Sequence, residues 1–364
     1  MKYINQFCRF FVGILFIVSG LIKLNDPIGT AIKMEEYFEV FSVDFHPIFQ
    51  HLTSVSLLIA VLMCVAEVVL GFAVLIYYKM KITSWLLLLL ILFFTFLTFY
   101  SAYFHKVTDC GCFGDVIKLT PWTSFIKDLV LLVLIEILFF QRDKLIPSLQ
   151  PWTSHIFVTL SILFSFYIAY FTVNHLSFID FRAYKLGANI GNQMKSSEPI
   201  KYKYVLTKGG EDFVFENYPK DTSYQYKSME IVNKDALPKI TDYAIWNDEG
   251  DFTKESLAGK KLLVFMLNTT KANPTKLLKI KELAKKLGKN NVQTWLVTSS
   301  DYNDVATFRN EHQLSFPFYY ADATVIKTVI RSNPGLVLLQ DGTVRGKWHY
   351  NDTPEIEQVL ELFK

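Results

Sequence analysis

Cysteine is scarce in this chain of 364 residues: there are four, and none follows Cys112. The C-terminal half therefore cannot carry out dithiol chemistry by itself. The sequence also has no Walker phosphate loop, no G-x-G-x-x-G after a strand, no G-x-S-x-G and no H-E-x-x-H. These absences disfavour nucleotide-driven functions and the familiar hydrolase classes.

Net charge is small, at +3, so a role in binding nucleic acid or an acidic substrate has no support. Hydrophobic residues make up 51% of the chain and the mean hydropathy is +0.25, which is high for a water-soluble protein. The apolar residues concentrate in the first half, whereas the chain after about Asp180 is rich in lysine and acidic residues. We therefore expect a membrane half joined to a water-soluble half.

A membrane-spanning helix needs about 20 mostly apolar residues. Five segments qualify, at roughly residues 4–24, 55–78, 85–104, 125–140 and 156–173. The fourth is the weakest, since it is short and includes Lys127, Asp128 and Glu136. The first has the position of a signal peptide, but its length, its Arg9 and the lack of an A-x-A-like cleavage site predict a retained helix.

Lysine and arginine in short loops indicate which side of a membrane is cytoplasmic. The relevant pairs are Lys2 with Arg9, Lys79 with Lys81, and Arg142 with Lys144. They share one side, the cytoplasm, only if every segment spans, including the fourth. The connection at 26–44, the Cys-Gly-Cys loop and the C-terminal domain would then face outward. We therefore expect a bacterial inner-membrane protein in contact with lipid, with its C-terminal domain in the periplasm, where disulfides can persist.

The water-soluble half contains clear strand and helix signals. "KYKYVLTKGGEDFVFENY" predicts a hairpin that turns at Gly209-Gly210. From about residue 242, strands alternate with helices in the order βαβα and then ββα. The last hairpin turns at Asp341-Gly342, and an amphipathic helix with Thr353 as its N-cap closes the chain.

That order of elements is similar to the thioredoxin fold, and "SNPGLVLLQDGTV" is the most specific part. It resembles the segment of thioredoxin-like proteins, most closely the TlpA/ResA group, in which a cis-proline precedes a strand and a D-G hairpin. Pro334 takes the place of that proline, and the resemblance covers about residues 244–364. The redox motif W-C-x-x-C of the family is missing, because its place reads "LNTTKANPTK", with Lys271 and Pro274 roughly where the cysteines belong.

This resemblance implies that the domain holds an extended client peptide at Asn333 and Pro334. The alternative is a degenerate domain retained for packing or for docking a partner.

The membrane half resembles the DoxX/MauE membrane proteins over about residues 1–140. The resemblance is carried by "RFFVGILFIVSGLIKLNDP" in the first helix, "CVAEVVLGFAVL" in the second and "CGCFGD" after the third. The matching positions are Arg9, Gly13, Phe16, Ser19, Gly20, Lys23, Glu67 and Gly71. Cysteine pairs at this point mark the redox-associated MauE branch, which is implicated in disulfide formation. A fused outward thioredoxin-like domain is similar to an arrangement in Bacteroidetes proteins of this family.

The two cysteines of "DCGCFGD", Cys110 and Cys112, can close only a very small disulfide ring. Such a ring is strained, even though Gly111 widens the accessible backbone conformations. A strained disulfide has an oxidising potential and exchanges readily, which suits disulfide transfer. Asp109 and Asp115 oppose this, because nearby negative charge raises the pKa of a thiol. Whether Lys106, Lys118 or a helix end compensates stays open.

Other interpretations of the cysteine pair remain open. The two could be ordinary loop thiols, or half of a metal site with His105, although the lack of a second cysteine pair leads us to expect no metal. Each could also bond another cysteine. Cys8 is a poor partner near the cytoplasmic end of its helix, and Cys64 is expected to be a packed apolar thiol.

Charged residues inside the membrane segments are the remaining candidates. Glu67 falls near the middle of its helix, where an acidic residue costs about 2.5 kcal/mol or more and is usually functional. It could be protonated, pair with a basic group, or serve a proton path during reduction of a quinone. Lys23, Lys127 and Asp128 should lie near the outer surface and the Cys-Gly-Cys loop. For the two lysines, snorkelling to the interface is favoured over chemistry.

These observations predict a multi-domain fold, with a bundle of about five transmembrane helices and a periplasmic α/β thioredoxin-like domain. The expected parts are a DoxX/MauE-like bundle at 1–145, a fifth transmembrane helix at 146–178, a β-rich linker at 179–240 and a thioredoxin-like domain lacking CxxC at 241–364.

The expected function is thiol–disulfide redox chemistry at Cys110 and Cys112, supported by Glu67, Lys23, Asp109 and Asp115. A quinone or another thiol carrier would be the electron partner, and periplasmic proteins the clients. The alternative is a non-catalytic scaffold that docks envelope proteins.

Overall fold

The computed structural model describes residues 2–107, 111, 113–117 and 119–364. The chain divides into two compact units, Met1–Phe181 and Arg182–Lys364. The first unit is helical and the second contains the sheets. The finer division into four parts remains a proposal.

Seven helices make up the described part of the first unit. They are α1 (Lys2–Asn25), α2 (Pro27–Asp44), α3 (Phe49–Leu52), α4 (Ser56–Leu75), α5 (Met80–Phe104), α6 (Pro121–Gln141) and α7 (Pro151–Asn174). A short 3₁₀ turn, Thr53–Val55, joins α3 to α4.

Four stretches of helix in the described residues are long and apolar enough to cross a membrane. They are Lys2–Asn25, Phe49–Leu75, Met80–Phe104 and Pro151–Asn174. The fourth predicted segment is α6, which is helical over 21 residues and carries the charges noted above. The chain is thus a multi-pass membrane protein, in agreement with the expected bundle of about five helices.

The connection expected at 26–44 is in fact a helix, α2. Pro27 occupies its first turn, and the Asp26 carboxylate caps it by accepting a hydrogen bond from the Gly29 amide at 2.9 Å. Its buried face includes Met34, Tyr37 and Phe41, and α2 packs against α4. The glutamates on the other face lower the mean hydropathy of the segment. A search for uniformly apolar segments therefore does not find this amphipathic helix.

The contact between α1 and α4 brings two backbones close together. A Cβ added to Gly71 would lie 2.8 Å from the carbonyl oxygen of Gly13 and 2.9 Å from Cβ of Phe16. A Cβ added to Gly20 would lie 2.7 Å from a methyl of Val68. Small residues at such crossings allow close helix packing in membranes. This packing places the polar residues of α1 directly against those of α4.

The second unit has two sheets. The strands are β1 (Tyr202–Lys208), β2 (Glu211–Phe215), β3 (Gln225–Ile231), β4 (Trp246–Asn247), β5 (Gly250–Asp251), β6 (Lys260–Met266), β7 (Gln293–Thr298), β8 (Phe318–Tyr320), β9 (Gly335–Gln340) and β10 (Thr343–His349). The small antiparallel sheet has the order β2-β1-β3, and the larger sheet has the order β10-β9-β6-β7-β8-β4-β5. The predicted hairpin at Gly209-Gly210 joins β1 to β2.

The larger sheet has the thioredoxin arrangement. The second unit's helices are α8 (Ile190–Gln193), α9 (Thr253–Leu257), α10 (Leu277–Gly288), α11 (Tyr302–His312), α12 (Ala323–Val329) and α13 (Ile356–Glu361). Strands β6, β7 and β8 are parallel, with α10 and α11 as the crossovers, whereas β9 is antiparallel to both β6 and β10. The Asn333–Pro334 peptide bond directly before β9 is cis, as expected for this fold. The predicted thioredoxin-like domain is thus confirmed.

The predicted start of the last helix was wrong. Thr353 donates its hydroxyl hydrogen to the Tyr350 carbonyl at 2.9 Å and so completes the preceding turn. Helix α13 begins three residues later, where Glu355 and Gln358 form a reciprocal capping box. In this box the Glu355 side chain accepts a hydrogen bond from the Gln358 amide, and the Gln358 side chain accepts one from the Glu355 amide. Because these residues cap the helix, Thr353 is not needed as its N-cap.

Candidate functional site

The predicted catalytic cysteines, Cys110 and Cys112, lie outside the described residues, as does Asp109. Their described neighbours are Gly111, Phe113 and the half-buried Asp115. Gly111 has φ +62°, and a Cβ added to it would lie 3.3 Å from Cγ of Lys33 on α2. Glycine adopts a positive φ at the lowest cost, so a residue with a Cβ would be strained at this position.

Gly111 lines a cavity in the helical unit, here called the loop cavity. Its other walls come from α1, α2, α4 and α5 and include Lys23, Lys33, Cys64, Glu67 and Phe94. The residue between the two cysteines therefore faces the same cavity as the candidate residues Lys23 and Glu67.

Lys23 and Glu67 form a buried ion pair between α1 and α4. The distance from Lys23 Nζ to Glu67 Oε1 is 2.5 Å, and the two side chains are 8% and 2% exposed. The Ser19 hydroxyl donates to the other Glu67 oxygen at 2.8 Å, and the Lys23 ammonium lies 4.7 Å from the ring centroid of Phe94. Of the three possibilities for Glu67, pairing with a basic group is the one observed. Snorkelling of Lys23 to the interface was the wrong expectation, because the packing of α1 against α4 encloses its ammonium.

A second ion pair lies on α6. Lys127 donates to Asp128, whose carboxylate is 1% exposed and also accepts a hydrogen bond from the Thr98 hydroxyl on α5 at 3.0 Å. The Lys127 ammonium lies 5.7 Å from the ring centroid of Phe113, the residue that follows Cys112. Its side chain is only 20% exposed, so Lys127 is largely enclosed as well.

The two ion pairs share a second cavity, here called the two-pair cavity. Ser19, Lys23, Glu67, Lys127 and Asp128 line it together with apolar residues of α1, α5 and α6. Burying ion pairs is costly, and ionisable residues inside a membrane usually serve a function. The arrangement offers two cations and two proton-accepting carboxylates inside a largely apolar bundle.

Lys106 is one of the cations that could compensate the acidic residues of the cysteine loop. It forms an ion pair with Asp44 at the end of α2. Hydrogen bonds from Lys106 and then from Tyr100 hold the pKa of the Asp44 carboxyl below its usual range. Lys118, the other candidate, lies outside the described residues. The described cations facing the two cavities are instead Lys23, Lys33 and Lys127, on α1, α2 and α6.

The remaining cysteines, Cys8 and Cys64, are free thiols with no exposed surface. Cys64 packs in an apolar cluster between α1, α4 and α7, as expected, but it also lines the loop cavity. Cys8 packs in a separate apolar cluster within the bundle.

In the thioredoxin-like domain, an asparagine-rich turn replaces the redox motif. The Asn268 carboxamide accepts hydrogen bonds from the Thr270 and Lys271 amides at 2.8 and 3.3 Å. The Asn333 side chain donates to the Asn268 carbonyl at 2.9 Å, and the Asn333 carbonyl accepts from the Asn273 amide at 3.1 Å. The segment before cis-Pro334 is thus hydrogen-bonded to this turn within the domain.

Several walls of the site had no sequence signal. Lys33 on α2, and Phe94 and Thr98 on α5, belong to no recognisable motif in the sequence. They join the site only because α2 and α5 pack beside α4.

Comparisons with known proteins found three similarities. The family described as "Methylamine utilisation protein MauE" matches residues 1–141. "Protein TlpB" of Flavobacterium psychrophilum is 27% identical over 143 residues, which is 39% of this chain and only 38% of that protein. A putative thioredoxin from Neisseria meningitidis, known from a solution structure, is 17% identical, with a TM-score of 0.28 over 34% of this chain and 85% of that one. The chain therefore combines a MauE-like membrane region with a domain whose strand order is that of thioredoxin.

Proposed function

We propose that this multi-pass membrane protein catalyses thiol–disulfide exchange through Cys110 and Cys112. The observation that carries the proposal is the position of Gly111, which separates the two cysteines and lines the loop cavity with Lys23 and Glu67. An acid–base pair beside a dithiol loop can supply and accept the protons that exchange requires.

The reaction is a two-electron transfer between dithiols. A client thiolate attacks one sulfur of the Cys110–Cys112 disulfide, which breaks that bond and forms a mixed disulfide. The second client thiolate then displaces the protein's sulfur, so the client leaves as a disulfide. The client loses two electrons and two protons, and Cys110 and Cys112 end as thiols.

Restoring the disulfide needs a two-electron oxidant, for which we propose a quinone of the lipid phase or another thiol carrier. Glu67 and Lys23 would take part in the accompanying proton transfer. The thioredoxin-like domain would hold the client near Asn333 and Pro334. We place the protein in the bacterial inner membrane, with the N-terminus in the cytoplasm and the thioredoxin-like domain in the periplasm.

A second candidate is a scaffold that docks envelope proteins without redox chemistry. It is favoured by the asparagine-rich turn, which leaves the thioredoxin-like domain without a dithiol and occupies the Asn333 carbonyl.

Thiol trapping in intact cells tests the proposed function. A chain with Cys8→Ser and Cys64→Ser is exposed to a membrane-impermeant maleimide before and after mild reduction. We expect labelling of Cys110 and Cys112 only after reduction, because an oxidised pair outside the membrane is reducible yet unreactive beforehand. The opposite result is a pair that stays unlabelled after mild reduction of intact cells but reacts with the maleimide after detergent solubilisation. Such a pair does not face outward, and this result favours the scaffold function.

A further inference from the structure

Besides the two cavities of the helical unit, the described residues form a groove on the thioredoxin-like domain, here called the basic groove. Its volume is about 1020 Å³, and it is lined by residues in the ranges 281–295 and 313–319. These residues belong to α10, β7, the segment after α11 and the start of β8. Small-molecule sites have volumes of about 300–1000 Å³, so this groove has room for a short stretch of polypeptide.

The basic groove lies at the edge of the larger sheet opposite to cis-Pro334. Gln293, which lines the groove, pairs with Lys261 at the start of β6. Gly335, which follows Pro334, instead pairs with Phe265 near the end of β6. The groove is thus separate from the client site proposed beside Pro334, and an inference about it goes beyond the proposed function.

One face of α10 forms a wall of the basic groove. The residues of this wall are spaced three and four positions apart, which places them on one side of a helix. They are Lys281, Ala284, Lys285 and Gly288. A Cβ added to Gly288 would meet no heavy atom within 4 Å. Because the two residues between and after the lysines are small, the space beside the lysine side chains is open.

The wall formed by α10 is positively charged. The residues that line the groove are all described by the structure, and they include Lys281 and Lys285 but no carboxylate. The Lys281 ammonium lies 3.5 Å from the His312 carbonyl oxygen and 3.5 Å from the Gln313 carboxamide oxygen, which are neutral acceptors. Like charges four residues apart on a helix repel each other. A ligand that carries a negative charge to each lysine would remove this repulsion.

The β8 side of the groove has a different character. The rings of Trp295 and Tyr319 stack with their centroids 4.1 Å apart, and both residues are buried. Burial, and then the nearby carboxylates of Glu249 and Glu255, raise the pKa of the Tyr319 hydroxyl. The acidic groups of a ligand are therefore favoured beside α10 rather than beside β8.

A polar group of the groove lacks a partner within the domain. Thr294 is 8% exposed, and its hydroxyl has no hydrogen-bond partner among the described residues. A buried hydroxyl without a partner is unfavourable. Rotation about χ1 would turn this hydroxyl toward a ligand, which could then satisfy it.

We infer that the basic groove binds an extended segment of a partner protein that carries an acidic side chain at every second residue. The Cβ atoms of residues four apart on a helix, as Lys281 and Lys285 are, lie about 5–6 Å apart. Side chains two residues apart on an extended strand point the same way and lie about 6.5 Å apart, which is a close match. The exposed carboxamides of Asn291, Gln293 and Gln313 can both donate to and accept from the backbone of such a segment.

The test uses the full chain in nanodiscs of zwitterionic phosphatidylcholine. The probe is a fluorescein-labelled peptide of alternating Glu and Thr, and its binding is measured by fluorescence polarisation. A comparison peptide has the same composition with its Glu and Thr residues in adjacent pairs, so that no two glutamates are two residues apart. We expect the alternating peptide to bind about fivefold more tightly, because it alone can place a carboxylate at each lysine.

Variants of α10 test whether the basic groove is the site of binding. Lys281→Met and Lys285→Met should each weaken binding of the alternating peptide about fivefold, since each removes one ion pair with the peptide. Lys286→Met is the matched control, because it removes the same charge from the next position of α10, where the side chain lines a different cavity. It should change the affinity by less than about twofold. Lys285→Arg, which keeps the charge, should keep the affinity, and thermal unfolding of each variant checks that it is folded.

Several results would overturn the inference. One is no binding of the alternating peptide, and another is equal affinity for the two peptides, which would reflect net charge alone. An equal loss for Lys286→Met and Lys285→Met would place the peptide elsewhere on α10. Displacement by citrate at the concentration at which unlabelled peptide displaces the probe would indicate a site for small anions. None of these measurements involves Cys110 or Cys112, so their outcome is independent of the proposed redox function.

Discussion

Replacing both loop cysteines, by Cys110→Ser with Cys112→Ser, is expected to abolish thiol–disulfide exchange. No cysteine follows Cys112, and the two that remain, Cys8 and Cys64, have no exposed surface. A client thiolate cannot reach these buried sulfurs, because exchange requires in-line attack on an accessible sulfur. The loss should therefore be complete rather than partial.

The measurement is the rate at which purified protein in nanodiscs oxidises a reduced dithiol peptide, followed by the loss of free peptide thiols. The matched control is Cys8→Ser with Cys64→Ser, which removes the same number of thiols and should retain the wild-type rate. Exchange by the double loop variant at the control's rate would remove Cys110 and Cys112 from the mechanism and favour the docking function.

Glu67→Ala should lower the free energy of unfolding of the helical unit by about 3–5 kcal/mol, since it leaves Lys23 buried without its carboxylate. Glu67 is 2% exposed and bonds both Lys23 and Ser19, so two donors lose an acceptor at once. The stability can be measured by SDS titration of the purified protein, followed by circular dichroism.

Two further variants separate the charge effect from a simple cavity. Lys23→Met combined with Glu67→Leu removes both charges and keeps most of the volume, so it should cost less than Glu67→Ala alone. Asp143→Ala removes the carboxylate that pairs with the exposed Lys81. This variant should change the free energy of unfolding by less than about 1 kcal/mol. Equal losses for Glu67→Ala and the charge-free double variant would show that the loss of stability does not come from an uncompensated buried charge.

The parts of the fold that the sequence predicted well have local causes. The turns at Gly209-Gly210 and Asp341-Gly342 adopt positive φ angles, which few residue types tolerate, so their positions could be identified from short stretches. Helix α2 was missed because its glutamates lower the mean hydropathy of a segment whose apolar residues still form one buried face.

The site was only partly predictable, for a different reason. The sequence predicted Glu67 near the middle of its helix and Lys23 near the outer surface, but not that they meet, because they lie 44 positions apart in the chain. Their contact depends on the register of α1 against α4, which close packing at Gly13 and Gly71 fixes. Tertiary packing also decides that Thr98 of α5 bonds Asp128 of α6.

The most direct test of the account is a redox titration of Cys110 and Cys112 in the purified chain carrying Cys8→Ser and Cys64→Ser. The protein is equilibrated in nanodiscs with buffers of graded reduced and oxidised dithiothreitol or glutathione, and mass spectrometry gives the fraction of the loop peptide with an internal disulfide. We expect a reversible transition with a midpoint potential above about −300 mV, whereas structural disulfides have midpoint potentials below that value. A pair that stays reduced in the most oxidising buffer, or stays oxidised below that potential, would contradict an exchangeable disulfide at this loop.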